Sequence, residues 1–167
     1  DVLISSNNAS LEKLPDNARI GTSSLRRKAQ LLAFREDYKI LDLRGNLDTR
    51  LKKLAAEDLD AIVVAHEGLL RMAYTGQISQ VIPFDIMLPA VGQGSLCIEI
   101  RKDETRIKKI VSDINDEQTR ISVEAERSLL AKLQGGCQVP IGAYAEIQGK
   151  EISIEAIICT LDGDHAI

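Results

Sequence analysis

A chain of 167 residues, 44% hydrophobic and 28% charged, has the composition of an ordinary globular protein and is long enough to bury a core without disulfides. A net charge of -4 provides no basic field for a polyanion, and an aromatic share of 3% leaves few rings to stack on bases, so nucleic-acid binding is disfavoured and any anion site must be local. Three widely spaced cysteines and two histidines indicate neither a zinc site nor a disulfide framework, and no apolar run approaches the roughly 18 residues of a membrane span. A reducing cytoplasm fits that usage.

Asp1-Val2-Leu3-Ile4 already reads as the middle of a strand, without an initiator Met, and the chain stops at Ile167 just after a turn signal. Both ends therefore predict a piece of a longer polypeptide. Ser10 to Leu14 forms a short helical turn stopped by Pro15. Arg19-Ile20-Gly21 gives a strand that runs into Thr22-Ser23-Ser24, and Ser24 is positioned to cap a helix over Leu25 to Arg35. Strand, hydroxyl-rich turn and helix N-terminus make an anion-binding arrangement. Arg26 and Arg27 enter the first helical turn, at the positive end of the helix dipole, where an anion would account for them. A solvated basic face on a helix whose apolar side is Leu25, Ala29, Leu32 and Ala33 is the bland alternative.

The same logic repeats. Lys39 to Leu43 reads as a buried strand ending in Arg44-Gly45-Asn46, and Leu47 to Ala56 as a helix carrying Arg50. Asp60 to Ala65 is the clearest strand, followed by a helix start with Arg71; His66 and Glu67 lie at that edge and need no catalytic role. Three strand-to-helix units thus place arginines where ligands collect in open α/β sheets, which predicts a convergent basic pocket. Ile82 to Gly94 is rich in chain breakers and reads as a crossover between lobes. A strand is expected over Ser95 to Ile100, a helix over Asp103 to Asn115, and a long helix over Glu117 to Leu133 capped by Asp116, with Ile121, Ala125, Leu129 and Leu133 spaced by four. A hairpin follows, Ile141 to Ile147 and Glu151 to Ile157 around Gln148-Gly149-Lys150.

Between the long helix and the hairpin lies Gly135-Gly136-Cys137-Gln138-Val139-Pro140. Two glycines allow backbone conformations closed to other residues, and Pro140 stops the helix, so Cys137 is expected on a bend from which its thiol can reach a ligand. A small, partly buried residue at a helix-to-strand turn is the alternative.

Four motifs occur in order: Gly21-Thr22-Ser23-Ser24-Leu25-Arg26-Arg27, Leu43-Arg44-Gly45-Asn46 with Thr49-Arg50, Leu88-Pro89-Ala90-Val91-Gly92-Gln93-Gly94, and Gly135-Gly136-Cys137-Gln138-Val139-Pro140-Ile141-Gly142. Each is weak alone. Together they closely resemble the porphobilinogen deaminase (hydroxymethylbilane synthase) family over essentially the whole chain. The resemblance implies an α/β lobe like one of a type II periplasmic binding protein over residues 1–94, a strand and helix at 95–115 returning to a largely missing first domain, and an incomplete small α+β domain over 116–167. It implies a dipyrromethane cofactor joined by a thioether to Cys137, held by Thr22, Ser24, Arg26, Arg27, Arg44 and Arg50, with Arg71 and Gln93 binding the substrate, porphobilinogen. Each pyrrole carries an acetate and a propionate, which suits arginine forks better than lysine. The family's acid-base aspartate is expected in the missing N-terminal part, so no residue here is assigned that role, and the chain alone is expected to be inactive. No metal is implied, and the parent is expected to be a cytoplasmic monomer. A non-enzymatic small-anion-binding module of the same architecture is the rival; a reversible binder has no use for a thioether-linked primer on Cys137.

Overall fold

The computed structural model describes residues 1–134 and 139–167. Its larger part is a five-stranded sheet built from β1 (Val2–Ser5), β2 (Arg19–Gly21), β3 (Lys39–Leu41), β4 (Ala61–Val64) and β5 (Gln80–Val81), in the order β3-β2-β4-β1-β5. β2 runs parallel to β3 and β4, with Ile20 opposite Ile40 and Ala61, while β1 is antiparallel to β4 and β5.

The strands are short apolar runs because both faces are covered. Successive side chains point to opposite faces, so Leu3, Ile20, Ala61 and Val63 enter one core with Leu11, Leu31, Tyr38 and Met87. Val2, Ile4, Ile62 and Val64 enter the other, with Leu43, Leu59 and Leu69. Helix α1 (Leu25–Phe34) supplies Leu31 to the first core; α2 (Leu47–Ala56) packs Leu47, Leu51 and Leu54 on the second, and α3 (His66–Arg71) contributes Leu69 to it. The helices that follow the neighbouring parallel strands β2 and β4 thus lie on opposite faces. That makes the carboxyl ends of β2 and β4 the crevice of this sheet. β1, running the other way, brings Asp1 to the same edge, since Val2 pairs with Val64.

The chain then crosses Ile82 to Gly94 and continues through α4 (Thr105–Ser112) and α5 (Glu117–Lys132) to a hairpin of β6 (Ile141–Gln148) and β7 (Glu151–Ile158). Ser24, Asn46 and Asp116 cap α1, α2 and α5 through their side chains, each accepting from the backbone N–H three residues on. Two glycines mark where the parts meet. A Cβ on Gly142 would lie 2.9 Å from the Leu88 carbonyl oxygen, and one on Gly163 would lie 2.6 Å from that of Ala29, so the hairpin rests on the crossover and the last turn on α1.

The strand expected over Ser95–Ile100 does not form: these residues have no ladder partner among the described residues. A strand exists only as a member of a sheet, and the five-stranded order closes without them. Leu96 and Ile98 are accordingly exposed, and the apolar stripe of α4 is exposed at Ile107 and Ile110, with Ile114 beyond it 70% accessible. Among the described residues, no helix is long and apolar enough to cross a membrane.

Candidate functional site

The turn Thr22-Ser23-Ser24 leads from β2 into α1, and its hydroxyls are used locally. Ser23 Oγ donates to the Leu43 carbonyl at 2.7 Å and accepts from the Leu43 N–H, Thr22 Oγ1 accepts from Ser24 N, and Ser24 Oγ caps Arg27 N. These bonds fix the direction in which α1 starts, and with it where Arg26 and Arg27 point.

Both arginines turn inward. Arg27 donates through Nε at 3.2 Å and Nη2 at 2.9 Å to Asp1 Oδ1, and through Nη1 at 3.1 Å to the Val63 carbonyl at the end of β4. Arg26 donates through Nη1 to the Leu88 carbonyl and through Nη2 to Gln93 Oε1 at 3.2 Å, and its Nη2 lies 2.9 Å from Asp1 Oδ2. Gln93 completes the cluster, its Nε2 donating to Asp1 Oδ1 at 2.8 Å. The Asp1 side chain is fully buried, and those of Arg26 and Arg27 are 6% and 10% exposed. Two cations and one anion out of water are tolerable only because nearly every polar atom has a partner. Two atoms do not: among the described residues the buried Nε–H of Arg26 has no acceptor, and Asp1 Oδ2 receives no hydrogen bond and is held only by its ion pair with Arg26. Burial lowers the pKa of Arg26 to about 9, the adjacent Arg27 charge adding to it, and burial lowers that of Arg27 to about 10. Both stay protonated at neutral pH.

The other arginines lie differently. Arg44, just past β3, is 84% exposed and pairs through Nε with Asp42 at 2.8 Å. Arg50 on α2 donates through Nε to the Gly45 carbonyl at 2.9 Å, and Arg71 at the end of α3 pairs through Nε with Glu67 at 3.2 Å. Among the described residues no other group takes a hydrogen bond from these three side chains, so their outer nitrogens are available to a ligand. The structure brings Arg26, Arg27 and Gln93 together, sets Arg44 and Arg50 at the next strand-to-helix junction, and places Arg71 on the rim of a separate groove of about 750 Å³ with Leu96, Ile98, Val111 and Arg127. Cys137 lies outside the described residues; α5 and Leu133-Gln134 lead up to it, and Pro140, whose carbonyl accepts from Cys159 N at 3.1 Å, follows it.

Sequence reasoning did not pick out Asp1, Gln30 or Glu126. Gln30 brackets one residue of the crossover, its Oε1 accepting from Leu88 N and its Nε2 donating to Leu88 O. Glu126 is the buried residue of α5. An acidic residue beside Ala125, within the predicted apolar stripe, is the only signal the sequence offered for it.

Residues 1–109 match the family model "Porphobilinogen deaminase, dipyromethane cofactor binding domain", and residues 120–167 match "Porphobilinogen deaminase, C-terminal domain". The porphobilinogen deaminase of Desulforamulus reducens is 49% identical over 100% of this chain and 54% of its own length; that of Brevibacillus brevis is 51% identical over 98% and 53%; that of Chlorobaculum tepidum is 47% identical over 100% and 54%. The chain spans about half the length of these relatives.

Proposed function

Since this chain belongs to the porphobilinogen deaminase family, we propose that it is the cofactor-carrying part of a hydroxymethylbilane synthase, a transferase that joins four porphobilinogen molecules head to tail and releases the linear tetrapyrrole. The observation that carries this reading is the set of arginines that follow the carboxyl ends of β2 and β3, two buried at the start of α1 and two at the junction with α2, within the stretch that matches the cofactor-binding domain. A substrate bearing two carboxylates per pyrrole needs several forks at graded depth, and guanidinium groups bind carboxylates through two parallel bonds.

The residues fit a dipyrromethane in two respects. The orphaned Nε–H of buried Arg26 is a donor awaiting an acceptor, and Arg44 and Arg50 have outer nitrogens facing solvent. When bound, the group supplies the nucleophilic pyrrole carbon to which new units are joined. In our reading Cys137 tethers it, so that thiol needs access rather than a strongly lowered pKa. Arg26, Arg27, Arg44 and Arg50, with Thr22 and Ser24 shaping the start of α1, hold its carboxylates. Arg71 and Gln93 meet the incoming porphobilinogen. The substrate loses its amino group as ammonia, and the resulting electrophilic carbon is attacked with loss of a pyrrole proton. The acid-base carboxylate for those proton transfers lies, we propose, in the part of the parent outside this chain.

We assign residues 1–94 to the arginine-bearing domain and 116–167 to part of the C-terminal domain. Residues 95–115 reach back to the remainder of the parent, a reading supported by the exposed Leu96, Ile98, Ile110 and Ile114. The parent is proposed to act as a monomer in the cytoplasm, where the free thiols of Cys97 and Cys159 would persist. The full-length protein given porphobilinogen should release ammonia and a linear tetrapyrrole. Binding of porphobilinogen without ammonia release would identify a binding module instead.

A further inference from the structure

The crossover Leu88–Gly94 is gripped from two sides. On the sheet side, Gln30 brackets Leu88 and Arg26 reaches both the Leu88 carbonyl and Gln93. On the hairpin side, the Ala143 N–H donates to Pro89 O at 3.0 Å, and Glu126 accepts from two segments at once: Oε2 from the Gly92 N–H at 2.6 Å, and Oε1 from the Ala145 N–H at 2.9 Å. Glu126 is 6% exposed and pairs with no cation among the described residues. A carboxylate buried in this way is costly unless both oxygens are satisfied, and here backbone donors from two elements satisfy them.

The residue after the clamped Gly92 is Gln93, whose amide bridges Arg26 and Asp1. Among the described residues the turn is otherwise closed by Gln93 N to Ala90 O, and by Ser95 N and Oγ to Gly92 O. We propose that Glu126 is a positioning residue for the arginine edge: by holding the Gly92 N–H from α5, it sets the Gln93 amide in register with Arg26 and Asp1. A glutamine at this position would keep one acceptor and turn an NH2 group toward the second backbone N–H, so Glu126→Gln removes the clamp with almost no change of volume.

This inference rests on the proposed function for its kinetic readout. In the full-length protein, Glu126→Gln is combined with Gln93→Ala in a double-mutant cycle, with KM and kcat for porphobilinogen measured beside the thermal midpoint. Losing one charge-assisted hydrogen bond should raise KM roughly tenfold. Because Glu126 acts through Gln93, Glu126→Gln should add nothing to KM once Gln93 is alanine. Equal effects in both backgrounds, or an unchanged KM in a folded Glu126→Gln protein, would overturn the proposal. If Glu126→Gln does not fold, Ser95→Ala loosens the same turn and should show a smaller rise in KM that also vanishes in the Gln93→Ala background. A wild-type protein that releases no ammonia would defeat the proposed function and leave this inference to a separate readout. There the Gln93 carboxamide resonances should move toward free-amide values in Glu126→Gln, and unmoved resonances would contradict it.

Discussion

Arg26 and Arg27 lie beneath the surface against Asp1, whereas Arg44, Arg50 and Arg71, in the two strand-to-helix units that follow, each use only Nε within the described residues. All five belong to strand-to-helix units, Arg26 and Arg27 in the first turn of α1, Arg44 before α2, Arg50 within α2 and Arg71 at the end of α3. What separates them is what the rest of the chain lays over each unit. β1 runs antiparallel beside β4 and delivers a carboxylate to the start of α1, and the crossover Leu88–Gly94 roofs the same spot; Arg44 is 84% exposed among the described residues. The buried pair is therefore part of the fold as well as the site, its charges committed to Asp1, Val63 O, Leu88 O and Gln93. The outer three commit only their Nε groups, to Asp42, the Gly45 carbonyl and Glu67, among the described residues.

The sharpest way to break this division is Arg27→Ala, which takes from the buried Asp1 carboxylate the guanidinium that donates to it twice and leaves it only Arg26 and Gln93. Removing one partner of a buried ion pair costs about 3–5 kcal/mol, so the unfolding free energy of the full-length protein, from chemical denaturation, should fall by up to that much; an unchanged value would make Arg27 a surface residue in effect. Arg27→Lys keeps the charge but cannot bond Asp1 through two nitrogens while also reaching Val63 O, and should cost about 1–3 kcal/mol in the same experiment. Full stability in the lysine variant would mean that charge alone matters.

On the outer set the effects should reverse. Arg44→Lys and Arg50→Lys should leave stability within about 0.5 kcal/mol of wild type while impairing cofactor assembly or elongation, as read by porphobilinogen turnover. Wild-type kinetics would count against bidentate carboxylate binding there. The smallest effect is expected from salt. Raising ionic strength from about 0.1 M toward 1 M shortens the screening length from about 10 Å to 3 Å, which should weaken porphobilinogen binding through the outer arginines yet leave the stability gap between wild type and Arg27→Ala nearly constant. A gap that shrinks with salt would place the Asp1 pair in water.

Much of this was legible in the sequence because it is local. The helix expected over Leu47–Ala56 has those bounds, Ser24 and Asp116 cap where their positions predicted, and the hairpin turns at Gly149 as its alternation and turn residues required. The division among the arginines was not legible, because it depends on Asp1, which meets Arg27 only through the strand order. Gln30 and Glu126 were missed for a related reason: a side chain that bonds backbone N–H and C=O groups far along the chain leaves no motif. The expected strand at Ser95–Ile100 had the right residues but no partner among the described residues, which local pattern cannot reveal.

Covalent attachment of the cofactor at Cys137 is the central claim, and intact mass with peptide mapping of the full-length protein tests it most directly. The account predicts a dipyrromethane adduct on the peptide containing Cys137, absent from Cys137→Ser. A covalent pyrrole retained in Cys137→Ser, or an active wild-type protein whose Cys137 thiol is unmodified, would contradict it.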